Sequence, residues 1–120
     1  MGATPVTVAI VNPADTKRRW EGLFLVDTGA TDCMAPGNQL RAIGLEPSGK
    51  RTYELADGSE ISLEIGVAKV EFMGEFVGAT IIFGADDIEP ILGVTALESV
   101  GIEVDPKNQQ LKRLPTVRLK

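Results

Sequence analysis

Phe24-Leu25-Val26-Asp27-Thr28-Gly29-Ala30-Thr31 sets an aspartate directly behind an apolar run that begins at Leu23. A run of that kind reads as a buried strand, and a carboxylate at the end of a core strand must be neutralised, hydrogen-bonded or functional. Gly29 permits a tight turn in which backbone N–H groups point back at the carboxylate. Asp-Thr-Gly is also ordinary turn chemistry, so the triplet takes its meaning from its surroundings.

Those surroundings read as strands. Residues 5–11 are rich in β-branched side chains and residues 22–26 are apolar, with the polar stretch 12–19 between them, which predicts an N-terminal hairpin. Residues 51–55 lead into Asp57-Gly58, after which Ile61, Leu63, Ile65 and Val67 alternate with smaller or polar residues. Period-two alternation marks a half-buried strand, and Asp-Gly suits a type I′ turn, whose two central positions need positive φ. Residues 70–72 and 76–83 flank Met73-Gly74-Glu75 and predict another hairpin. Helical signals are short. Thr95-Ala96-Leu97-Glu98 has capping-box spacing with Gly101 as a stop, and a weaker helix fits residues 38–43 before Gly44. Residues 102–105 and 110–114 can pair across Pro106-Lys107-Asn108. The chain is mainly β.

One pattern recurs. Leu40-Arg41-Ala42-Ile43-Gly44-Leu45-Glu46 and Leu97-Glu98-Ser99-Val100-Gly101-Ile102-Glu103 share L-x-x-[IV]-G-[LI]-E, 57 residues apart. Each follows an apolar strand with a glycine turn, at Asp27-Thr28-Gly29 and at Ile91-Leu92-Gly93, as expected of a half-domain used twice.

Composition narrows the chemistry. The 120 residues suit one domain spanning 1–120, and 43% hydrophobic with 24% charged residues is ordinary for a folded globular protein. Histidine is absent, which excludes Ser/His/Asp and Cys/His nucleophilic machinery and His-containing zinc sites. Cys33 is the only cysteine, so no intrachain disulfide or thiolate cluster can form; it reads better as a small buried hydrophobe than as a reactive thiol. No metal or cofactor is expected, and carboxylates must carry any chemistry. The longest nearly apolar stretch, residues 77–85, falls short of the ~20 residues of a spanning helix, so no membrane association is expected. A net charge of −5 argues against nucleic acid as a partner. Residues 107–120 nevertheless hold five bases and no acid, a basic C-terminal extension that reads as a solvated edge or a docking segment. The start, Met1-Gly2-Ala3-Thr4-Pro5-Val6, lacks an apolar signal core and a myristoylation motif, so a cytoplasmic location is expected.

LVDTGAT, the Asp57-Gly58 hairpin, and Ile91-Leu92-Gly93 followed by a short helix together resemble a retropepsin-type, single-lobe aspartic protease over residues 6–114. The resemblance implies a closed-barrel-like, mainly β fold with one or two short helices, and aspartic endopeptidase activity on peptide or protein substrates. Such hydrolysis needs two close carboxylates sharing a proton. The chain holds one Asp-Thr-Gly, so the active species is expected to be a symmetric homodimer with Asp27 of each subunit on the two-fold axis. By the same resemblance Thr28 ties the two loops together and Gly29 supports the catalytic loop. Ala30, Thr31 and Asp32 lie beside the substrate backbone, residues 53–60 form a flap with Ala56, Asp57 and Gly58 nearest its tip, and Ile91 lines an apolar subsite. Three departures stand out. The flap lacks the glycine-rich tip of viral members, Val94 stands where those enzymes carry an arginine that braces the dimer, and residues 114–120 extend past the usual last strand. A catalytically silent domain of the same fold, dimerising or binding peptides, is the alternative.

Overall fold

The computed structural model describes residues 4–105, 107–108 and 110–119. The expectations that rest on Met1, Gly2, Ala3, Pro106 and Lys120 lie outside them. Strand β1 (Thr4–Asn12) pairs antiparallel with β2 (Asp15–Asp27), from Thr4↔Val26 to Val11↔Arg19. The polar stretch expected as a connector is therefore mostly strand. Only Pro13 and Ala14 turn, while residues 15–19 continue β2 out of reach of the core and stay polar because nothing covers them. Asn12, a buried polar residue, is satisfied: its Oδ1 accepts from Ala14 N–H at 2.9 Å and its Nδ2 donates to the Ile43 carbonyl at 2.9 Å.

The chain continues through β3 (Cys33–Pro36), α1 (Gly37–Ala42), β4 (Gly49–Glu54), β5 (Glu60–Phe72), β6 (Glu75–Gly84), β7 (Ile91–Gly93), α2 (Val94–Ser99), β8 (Ile102–Asp105) and β9 (Gln110–Arg113). The main sheet runs β1-β2-β7-β3-β6-β5-β4, and β1 also pairs with β5 at Ile10↔Val70. That extra pairing curls six strands into a ring and leaves β4 outside it. Val8, Ile10, Phe24, Leu40, Val70, Ile81, Leu92, Leu97 and Ile102 fill the interior with essentially no exposure.

The long strand β5 serves two surroundings in turn. Its even-numbered face, Ala68, Val70 and Phe72, enters the core, whereas Val67 on the other face is 60% exposed. The alternation predicted for Ile61 to Val67 thus does not face one core throughout. The β4–β5 hairpin projects beyond the ring, so Ile61 and Leu63 overlook a cleft instead. Turn chemistry is likewise redistributed. Met73 (φ 53°) and Gly74 (φ 76°) close Phe72↔Glu75, as a type I′ turn requires. At Asp57-Gly58 only Gly58 has positive φ, and Asp57 instead accepts from Ser59 N–H at 2.9 Å and from the Ser59 hydroxyl.

Helix α1 ends in a Schellman motif, with Gly44 N–H on the Arg41 carbonyl, Leu45 N–H on the Leu40 carbonyl, and Gly44 at φ 85°. Gly101 at φ 71° ends α2 in the corresponding place. The 57-residue offset that superposes these ends sets Met34-Ala35-Pro36 of β3 on Ile91-Leu92-Gly93 of β7. In the sheet β3 runs parallel to β6 and β7 runs parallel to β2, with Met34↔Ile91 linking the two pairs. The structural counterpart of β7 is therefore β3, rather than the Asp27-Thr28-Gly29 turn expected from the flanking pattern. The glycine signal misled because β2 and β7 are hydrogen-bonded partners instead of copies. Beyond β9, Leu114 N–H donates to the Gly101 carbonyl at 2.7 Å. Arg113 bonds the Met73 carbonyl at 2.6 Å and pairs with Glu75, so this base of the C-terminal extension ties β9 to the main sheet. Among the described residues no helix is long and apolar enough to cross a membrane.

Candidate active site

Asp27 is the last residue of β2, half-buried, and the parallel register sets it opposite Gly93 of β7. The chain then folds back on itself. Gly29 N–H donates to Asp27 Oδ1 at 2.9 Å and Ala30 N–H donates to the Asp27 carbonyl at 3.0 Å. Gly29 eases the close approach, since a Cβ at that position would stand 3.3 Å from Asp27 Oδ1 and the carboxylate would have to give by a few tenths of an ångström. Thr28 is exposed at the apex of the turn.

The next three residues are pinned from behind. Val94 N–H donates to the Ala30 carbonyl at 2.8 Å and Thr95 N–H to the Thr31 carbonyl at 3.3 Å. The first N–H groups of α2, which an isolated helix would leave unpaired, are satisfied by the Asp27 loop. This explains why the capping box fails. Gly93 is the N-cap, no side chain caps the helix, and Thr95 lies inside it. Gly93 permits the crossing because a Cβ there would lie 2.6 Å from the carbonyl carbon and oxygen of Asp32.

Cys33 is buried, and Gly93 N–H points at its Sγ at 3.5 Å. Burial pushes the thiol up to about 11, which agrees with a packing role. No cluster of side chains suited to a metal ion occurs among the described residues.

Asp32 turns toward the projecting hairpin. Its Oδ2 accepts from the Tyr53 hydroxyl at 2.6 Å and from Arg51 Nη1 at 3.0 Å. Burial and then the bond to Asp32 push the Tyr53 phenol up to about 12, and the carboxylate raises the Arg51 guanidinium further above its already high range. Between loop and hairpin lies a cleft of about 840 Å³, against about 340 and 180 Å³ for two other hollows. Asp27, Gly29, Ala30, Thr31 and Asp32 line one side of it, and Arg51, Tyr53 and Ala56 another. Met34, Leu55, Ile61, Leu63 and Ile82 supply an apolar lining.

Of the residues expected at the site, Asp57 and Gly58 sit exposed at the hairpin tip and do not line the cleft of the single chain. Ile91 is half-buried between Leu25 and Met34, and it too is outside that lining. Arg51 and the apolar lining were not foreseen. A signal existed, because Arg51, Tyr53 and Leu55 share one strand face by period two, as do Ile61 and Leu63. Nothing local indicates that this face meets Asp32.

No protein-family profile matches the chain, and no curated protein matches it in sequence. Among solved structures it is similar to the solution structure of the simian foamy virus (mac) protease, at a TM-score of 0.55 and 17% identity. The match covers 78% of this chain and 91% of that one. Similarity at that level of identity speaks for the fold alone, and it establishes a mainly β, retropepsin-like fold for this chain.

Proposed function

We propose that the protein is an aspartic endopeptidase, active as a symmetric homodimer that hydrolyses peptide bonds through a water activated by Asp27 and its copy in the second subunit. The observation that carries this reading is the placement of Asp27: a carboxylate held by Gly29 N–H at the end of a core strand, lining a cleft of about 840 Å³ that the β4–β5 hairpin overhangs. The cleft's apolar lining suits the side chains of an extended peptide.

In the proposed reaction one Asp27 is ionised and its copy protonated, because two close carboxylates do not both ionise. The ionised carboxylate takes a proton from water as the oxygen attacks the scissile carbonyl carbon, while the protonated one donates to the carbonyl oxygen. The tetrahedral intermediate collapses as one of its hydroxyls returns a proton to the carboxylate that had donated. The C–N bond breaks and the departing nitrogen takes the proton held by the other Asp27, so the dyad again carries one proton. Thr28, exposed at the apex of its loop, is the residue proposed to bond the second loop across the axis. Ala30, Thr31 and Asp32 are assigned to the substrate backbone, Ala56, Asp57 and Gly58 to the closing tip, and Ile91 to an apolar subsite completed in the dimer.

The test is digestion of an unfolded protein or a peptide library by wild type and Asp27→Asn, with and without pepstatin. Cleavage by wild type alone, blocked by pepstatin, is expected. Absence of cleavage, or equal cleavage by both proteins, overturns the proposal.

A further inference from the structure

Strand β4 is the outer edge of the main sheet, and of its six residues only Tyr53 is not exposed. Leu55 and Ile61, flanking the tip, are 47% and 40% exposed. Little apolar burial therefore holds this end of the hairpin over the cleft. What meets it is Asp32, whose side chain is 9% exposed and whose single oxygen Oδ2 receives both Tyr53 and Arg51. Among the described residues these are the polar side-chain contacts that join β4 to anything beyond its own hairpin; the Thr52–Ser62 hydroxyl pair lies within it. Asp32 itself is fixed from behind, because its carbonyl packs against Gly93 at the crossing with β7.

The geometry points to Asp32, Tyr53 and Arg51 as a latch that holds the β4–β5 hairpin against the Asp27 loop before substrate arrives, with Tyr53 and Arg51 as positioning residues. A hydroxyl donating to a partly buried carboxylate is the stronger half, since charge assists the bond and little water competes for it. Arg51 is half-exposed, so its half is open to screening by salt. With the latch intact the hairpin is already ordered, and substrate binding does not have to order it. The role in catalysis rests on the proposed protease reading; the latch itself does not.

The experiment is amide hydrogen exchange over residues 49–65 in the substrate-free protein, for wild type, Tyr53→Phe, Arg51→Gln and the double variant. Exchange there is expected to quicken about three- to tenfold in Tyr53→Phe and further in the double variant, while residues 4–27 keep wild-type rates as a control on folding. The half-exposed Arg41–Glu64 pair ties the β5 arm to α1 and is screened in every variant, so the salt test is read on β4. Raising salt to roughly 1 M should quicken exchange over residues 49–54 in wild type and in Tyr53→Phe more than in Arg51→Gln. On a cleaved peptide, Tyr53→Phe should raise KM by a similar factor with kcat within about twofold. Wild-type exchange rates in the double variant overturn the latch, and a fall in kcat at unchanged KM overturns the positioning role. Exchange is read without substrate, so failure of wild type to cleave any peptide would count against the protease reading and leave the latch to be judged on exchange.

Discussion

Asp27 and Gly93 stand opposite each other across the parallel β2–β7 pair, and the absent side chain at Gly93 is what lets the backbone of Thr31 and Asp32 cross behind the carboxylate. The loop is thus positioned by backbone contact and by the first N–H groups of α2 more than by side-chain packing.

Substituting Gly93→Ala tests that crossing. The new Cβ would meet backbone atoms at 2.6 to 2.8 Å, which cannot swing aside as a side-chain tip could. The variant should lose about 3 kcal/mol of stability, measured as a lower urea midpoint at unchanged slope. Gly78→Ala, where no atom lies within 4 Å, is the control and should stay within about 1 kcal/mol of wild type.

Replacing Asp27 by Asn keeps shape and removes the titrating group. Proteolysis should fall at least ~10³-fold while the thermal transition moves little. Peptide cleavage and circular dichroism on one preparation check both halves.

Sedimentation equilibrium should find twice the 12.8 kDa chain mass at concentrations that support cleavage. A shared dyad has no catalytic value in a lone subunit, and an obligate interface typically buries ~2,000 Å² or more. A strict monomer with full activity contradicts the shared site.

Cys33 should resist Ellman's reagent in the native protein at pH 8 and react at once in denaturant, because burial disfavours the thiolate. The folded thiol titrates near 11 against an ordinary 9.0, so the folded chain holds the proton more tightly. The stabilising contribution is whole below pH 9 and is lost as pH climbs from 9 toward 11. Cys33→Ala should weaken that decline in a urea series across this window.

The cleavage rate should trace a bell against pH, since coupled carboxylates lose protons in two steps that belong to the pair. Ala30 cannot donate a hydrogen bond to the ionised form as a serine there could. Ala30→Ser is therefore expected to move the acidic limb to lower pH. An upward move on the same peptide rules out this role for residue 30.

Much of this protein is local and was legible in the chain itself. Asp27-Thr28-Gly29 after an apolar run, Gly44 and Gly101 behind short helices, and Met73-Gly74 between two strands each specify a conformation from neighbours within a few residues, where sterics and backbone hydrogen bonding act directly. The same local reasoning erred where a distant partner outweighed it. Thr95 does not cap α2 because the Ala30 and Thr31 carbonyls take the N–H groups of Val94 and Thr95 and the helix starts at Val94, and Val67 is exposed because β5 leaves the cleft and joins the wall of the ring. Tertiary structure alone closed β1 onto β5, threaded Gly93 behind the Asp27 loop, and brought Arg51 and Tyr53 onto Asp32 from 19 and 21 residues away. Contacts of that kind depend on how the whole sheet curls to bury Phe24, Leu92 and Val70 together, and no short window of sequence carries that information.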